Sequence, residues 1–252
     1  MARAFSDLQN GVVLAELGGH GDGPYCARHG AGAALVMLGT YIVDPGDAVP
    51  YPKHFVFKPG RRSYAAYLKE HVAAARASGA KVAVSAISVK LGDTVDFLQA
   101  AEEAGADYAS LCAYSVMEMF VSHGLGAELC RRKNQARLKE WAGALARGVK
   151  IPVIFKIGLT SVKETSSAME IMQAAGVPIV HVCIGNSAPD SPGLRALAEL
   201  KLKCDFLIAG GGIRDADGAK RVLNSGAAAV AIASAAMKDA ALCGRIQAAL
   251  RY

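Results

Sequence analysis

Short apolar runs rich in Val, Ile, Leu and Ala alternate along the chain with longer polar segments whose apolar residues recur at helical spacing. Val12 to Leu17 and Ala34 to Leu38 predict two strands, with a short helix around Tyr25 to His29 between them. A polar, Pro-rich loop from Asp44 to Pro59 follows, and then Ser63 to Ser78 sets Tyr64, Leu68, Val72 and Ala75 on one helical face. Lys81 to Ile87 and Asp107 to Cys112 predict the third and fourth strands, separated by a helix over Asp93 to Ala104. Gly79 and Gly105 stop the helices that precede these strands. The region Ala113 to Arg131 is irregular, and the helix beyond it carries Leu138, Trp141, Ala142 and Leu145.

The alternation then quickens. Strands at Pro152 to Ile157 and Ile179 to Ile184 are each followed by a helix, Val162 to Ala175 and Leu194 to Leu202. Phe206 to Ala209 leads into Gly210-Gly211-Gly212 and a helix over Asp215 to Asn224. Ala228 to Ala233 and a last helix, Asp239 to Leu250, end the series. Eight strand–helix units with no break in composition predict one α/β domain over residues 1–252, a single (β/α)8 TIM barrel. A length of 252 residues matches the roughly 250 typical of that fold. A doubly wound open sheet is the alternative that alternation alone leaves open.

Composition narrows the setting. Hydrophobic residues make up 52% of the chain, enough for a full core, yet no apolar run approaches the roughly 18 residues of a membrane span. The N-terminal stretch has no apolar signal region, so a cytoplasmic protein without a membrane partner is expected. The formal net charge of +6 favours an anionic or phosphorylated small-molecule ligand. Its basic residues are scattered, as at Arg61-Arg62, Arg131-Arg132-Lys133, Lys201 and Lys203, which predicts no specific nucleic-acid groove. Six widely spaced cysteines fit a reducing compartment, and the absence of CxxC argues against a zinc or other metal site. A homo-oligomer is compatible with all of this.

In a barrel, chemistry sits at the C-terminal ends of the strands. Lys156, in IPVIFKIG, is the sharpest candidate, because an ammonium in an apolar strand needs an anion, a hydrogen-bonding cofactor or a depressed pKa. Glu16 is a candidate base or the partner of Lys156. His181, Cys112 and Ser115 are further catalytic candidates, and His181 and Cys112 read equally as core residues. The glycines Gly210 to Gly212, with the turn Ala233-Ser234, form a candidate phosphate cradle built from backbone N–H groups, with Arg214 and Lys238 turned to solvent. Asp22 and Asp190 read as turn or cap residues.

The segments VVLAELGGHGDGPYCARHGAGAALVMLG, VIFKIG, IVHV and GGGI with GAAAVAIASA resemble the FMN-binding barrels of dihydrouridine synthases and dihydroorotate dehydrogenases. They resemble most the archaeal FMN-binding proteins similar to dihydrouridine synthase. The resemblance implies a flavin oxidoreductase with FMN beside Gly18 and Gly19, its ring at Lys156 and its phosphate at Gly211, Gly212 and Ser234. Several positions depart from that pattern. Cys112 stands where asparagine is expected and Ser115 where the proton-donating cysteine is expected. Ile87 replaces a polar flavin contact, Gly158 replaces an arginine, and Ser234 has no arginine beside it. Dihydrouridine synthesis by the usual route is therefore not expected. No segment corresponds to the synthases' tRNA-binding domain, so tRNA binding is expected to be weak. Two other classes stay open: a non-flavin lyase or isomerase of a phosphorylated compound, with Lys156 as Schiff-base nucleophile or electrostatic clamp, and a non-catalytic binder that uses the cradle alone.

Overall fold

The computed structural model describes residues 5–44 and 50–251, and residues 45–49 of the loop expected over Asp44 to Pro59 lie outside it. Eight parallel strands close into a barrel: β1 (Val12–Leu14), β2 (Leu35–Val43), β3 (Lys81–Ser88), β4 (Tyr108–Ala113), β5 (Val153–Gly158), β6 (Ile179–Cys183), β7 (Phe206–Gly210) and β8 (Ala229–Ile232). Each pairs with its neighbours in sequence, and β1 pairs with both β8 and β2, which closes the ring and rules out the open-sheet alternative. The outer layer is α1 (Gly23–His29), α2 (Ala65–Ala75), α3 (Leu91–Glu103), α4 (Gln135–Gly148), α5 (Val162–Ala174), α6 (Pro192–Leu200), α7 (Ala216–Asn224) and α8 (Leu242–Leu250). None of the described helices is long and apolar enough to cross a membrane.

The strands are legible as apolar runs because helices cover one face and the barrel interior the other, so both faces are buried. Alternation along each strand divides the core in two. Val13, Met37, Ala83, Ile154, Ile179 and Ile208 fill the lower barrel, while their neighbours pack outward against the helices. Caps set the helix starts: Asp22, Ser161, Ser191 and Asp215 each accept a backbone N–H in the first turn of α1, α5, α6 and α7. Asp22 is thus the cap residue its sequence context suggests.

Several boundaries differ from the expected ones. β1 stops at Leu14, which leaves Glu16 in the turn above the barrel, while β2 runs five residues beyond Leu38 through a register shift between Leu38 and Tyr41. The expected loop after β2 contains a two-residue strand, Val56–Phe57, paired with the end of β2. The segment after β4 holds a short helix, Glu118–Val121, and tight turns. The last helix begins at Leu242, and a separate helical turn, Ser234–Met237, follows β8.

Candidate active site

Register brings the candidates together. Cys112 on β4 lies opposite Lys156 on β5, and Lys156 lies opposite His181 on β6, so three neighbouring strands supply one layer of side chains. Lys156 is two residues beyond Ile154, which faces the lower barrel, and therefore points inward one layer nearer the mouth. The layer forms the floor of a cavity of about 930 Å³ at the C-terminal end of the barrel. That cavity is also lined by Glu16, Gly18, Ser115, Gly210, Gly211, Gly212, Ala233 and Ser234. Of the expected site residues, Gly19 alone does not line it.

Lys156 is 8% exposed and Glu16 3%. The Lys156 Nζ lies 3.3 Å from Glu16 Oε2, and its aligned hydrogen bond is donated to the Glu16 backbone carbonyl at 3.4 Å. Glu16 Oε1 accepts from Ser85 Oγ at 3.3 Å, and Thr40 Oγ1 is 3.4 Å from that hydroxyl, so a polar chain crosses the barrel. Glu16 Oε2 is buried, and its polar contact is the ion pair with Lys156. Burial alone would push the lysine pKa down, but the Glu16 carboxylate carries it above its ordinary value, with Cys112 as a further influence. Burial in turn raises the Cys112 thiol, although Lys156 pulls the other way. Cys112 therefore stays a neutral thiol, and Glu16 is the charge that holds Lys156 protonated. His181 is 2% exposed, and burial followed by the nearby Lys156 charge lowers its pKa well below the ordinary value. It is a neutral imidazole whose buried Nδ1 has no partner.

The mouth also carries Tyr51, which sequence patterning gave no reason to select. Tyr51 comes from the loop after β2 and covers the first-strand turn: a Cβ at Gly18 would collide with its ring, and one at Gly19 would lie 3.2 Å from Pro52 Cδ. Tyr51 and Pro52 thus pack against the Cβ positions of Gly18 and Gly19, while Gly18 still lines the cavity. Burial raises the Tyr51 hydroxyl pKa, with Cys112 and Glu16 adding to the effect and Lys156 opposing it. Tyr114 lies with its ring centroid 5.9 Å from Lys156 Nζ. A Cβ at Gly158 would meet that ring at 2.9 Å, so glycine where the resembled family has arginine is what admits the tyrosine. A hydrogen bond with Cys183 is the main cause that pushes the Tyr114 pKa up to about 12. Ser115 Oγ accepts the Met117 N–H at 3.3 Å, which gives it a local turn role.

The two turns of the expected cradle are adjacent, since Gly210 pairs with Ala231. The glycines have a packing reason as well. Gly211 has φ 136°, and a Cβ there would lie 2.9 Å from the Gly185 N atom, while one at Gly210 would lie 2.8 Å from the Ala231 carbonyl oxygen. The Ser234 turn spans four residues and lacks a side-chain cap, so its dipole is small. Arg214 and Lys238 are exposed to solvent, as expected, and they also line the cavity mouth with Arg245. Arg245 is held by an ion pair with Asp239.

No protein-family model matches the sequence, and no curated protein matches it. Solved structures do. The chain is similar to a mandelate oxidase variant with benzaldehyde, at 16% identity and a TM-score of 0.59, over 100% of this chain and 80% of the other. It is also similar to DHODH from Eimeria tenella in complex with ferulenol, at 14% identity and a TM-score of 0.68, over 99% of this chain and 85% of the other. At these identities the likeness shows the barrel fold.

Proposed function

We propose that this chain is a flavin-dependent oxidoreductase that holds FMN across the barrel mouth. The observation that carries the reading is one continuous cavity of about 930 Å³ with a buried, protonated lysine at its floor and three basic residues, Arg214, Lys238 and Arg245, in its wall. Its volume lies within the range of small-molecule and cofactor sites. The sequence resemblance and the oxidase among the similar structures support the same class. Lys156 is the donor for a polar ring edge, held in place by Glu16. The backbone of Gly210 to Gly212 and of Ala233-Ser234, with Arg214 and Lys238, suits a phosphate. Bound FMN supplies two-electron chemistry. His181 keeps a neutral imidazole beside the lysine, and Cys112 keeps its proton.

The Schiff-base alternative needs a lysine that loses its proton near neutral pH, and the Glu16 carboxylate acts against that. The test is direct. Purified protein should be yellow, or should quench FMN fluorescence on titration, and Lys156→Met should weaken that binding. Borohydride with a carbonyl compound should leave no adduct. A colourless protein that ignores FMN, or a lysine adduct, would overturn the proposal.

A further inference from the structure

Helix α1 joins two turns that belong to the cavity. It leaves the first-strand turn directly: Glu16, Leu17 and Gly18 line the cavity, and Asp22 at the end of that turn caps the helix by accepting the Tyr25 N–H at 2.9 Å. The last residue of α1, His29, reaches the turn after β8. Its Nδ1 lies 2.8 Å from the Ala236 carbonyl oxygen, and because a carbonyl only accepts, Nδ1 carries the proton and donates. His29 is 8% exposed and does not line the cavity, whereas Ala233, Ser234, Ala235 and Lys238, on either side of Ala236, do. The Ala236 carbonyl also accepts the Asp239 N–H at 3.1 Å, so the imidazole is a second, long-range donor at the end of a turn that has no side-chain cap. Tyr25 packs the ring in place, stacked on it with centroids 4.3 Å apart.

From these contacts we infer that His29 is a positioning residue for the ligand: it sets where the turn over 234–238 presents its backbone and Lys238 to the cavity. The inference rests on the reading of that turn as part of the phosphate side of an FMN site. Without the imidazole the turn is held by β8 at one end and by its own hydrogen bonds, Ala236 N–H to the Ala233 carbonyl at 3.0 Å and Lys238 N–H to the Ala235 carbonyl at 3.3 Å. So short a helical segment gains little from cooperativity, and a tether from a packed neighbouring helix fixes its orientation. His29 acts through the turn and not by contact. Its loss therefore costs the phosphate group's share of binding and leaves in place the ring's share, which falls to Lys156 on β5.

The experiment compares FMN with riboflavin, which lacks the phosphate, by fluorescence titration of wild type, His29→Phe and His29→Asn. Phenylalanine keeps a ring against Tyr25 and removes the donor, while asparagine restores an N–H one bond beyond Cγ, where Nδ1 stands. His29→Phe should weaken FMN by about two- to tenfold, the worth of one hydrogen bond, with riboflavin affinity unchanged, and His29→Asn should return FMN toward wild type. Hydrogen exchange of the ligand-free protein is the second arm: the Ala236 and Lys238 amides should exchange faster in His29→Phe and regain protection in His29→Asn. A wild-type ratio of FMN to riboflavin affinity in His29→Phe, an equal loss for both flavins, or unchanged exchange at those amides would overturn the inference. Wild-type protein that binds neither flavin removes the cofactor reading, and the exchange arm then decides alone whether His29 holds the turn. Should His29→Phe not fold, His29→Leu carries the same comparison.

Discussion

Replacing Lys156 by methionine tests whether the buried pair is the ionised one described above. Its Nζ and the Glu16 Oε2 are 3.3 Å apart, with side chains 11% and 1% exposed. At that distance and an effective dielectric constant of about 20, their attraction is about 5 kcal/mol. The removal of one partner leaves Glu16 charged, buried and supported by one long side-chain hydrogen bond from Ser85. Such breaks cost about 3–5 kcal/mol. For a domain of this size each kcal/mol moves the thermal midpoint about 2–4 °C, so a loss on the order of 10 °C is expected. The double variant Lys156→Met, Glu16→Leu removes both charges and should recover most of that loss. Urea unfolding of the wild type, the two singles and the double forms the cycle. A Lys156→Met protein within about 1 kcal/mol of wild type, or a double variant no more stable than the single, would refute the ionised pair.

Alkali should destabilise the fold through the same lysine. A raised folded-state pKa contributes stability that is present below the unfolded value of about 10.4 and lost as pH rises through the higher folded value, so unfolding midpoints of wild type should fall there while those of Lys156→Met stay flatter. Acid should act through His181. Its depressed folded pKa means the unfolded chain binds the extra proton below about pH 6.5, so stability falls as pH drops below that value, and His181→Asn should reduce the slope. Gly211→Ala should cost folding as well as ligand affinity, by about 1–3 kcal/mol, because φ 136° and the Gly185 backbone both exclude a Cβ; an unchanged urea midpoint would contradict this.

The barrel was readable because each strand is buried on both faces and so appears as an uninterrupted apolar run, with glycine or a cap residue at most element ends. Lys156 stood out for the same reason, a charge inside such a run. Glu16, a carboxylate beyond the first strand, was readable as a base or as the partner of Lys156, and closure of the barrel brings the two to 3.3 Å, as the pairing requires. Ile87 and Phe120 carry no local signal beyond apolar character, and Tyr51 lies in a loop without periodicity. Their meeting at one cavity is a property of closure, which joins β1 to β8 and draws the turns into one ring. Arg214 and Lys238 read correctly as solvent-facing, but exposure and cavity lining coincide at an open mouth, and sequence spacing carries only the first.

The departures from the resembled family are concentrated on one side. On the β5–β8 side, Lys156, the glycine turn after β7 and the Ser234 turn keep the expected positions, and Gly158 with Ser234's missing arginine are the changes. Arg214, Lys238 and Arg245 supply cations to that wall. On the β1–β4 side the changes alter chemistry: Ile87 is apolar where a polar contact is expected, Ser115 is engaged by its own turn, and Cys112 is a buried neutral thiol. The loss of arginine at 158 also serves that side, since the space it leaves is occupied by the Tyr114 ring that borders the apolar wall.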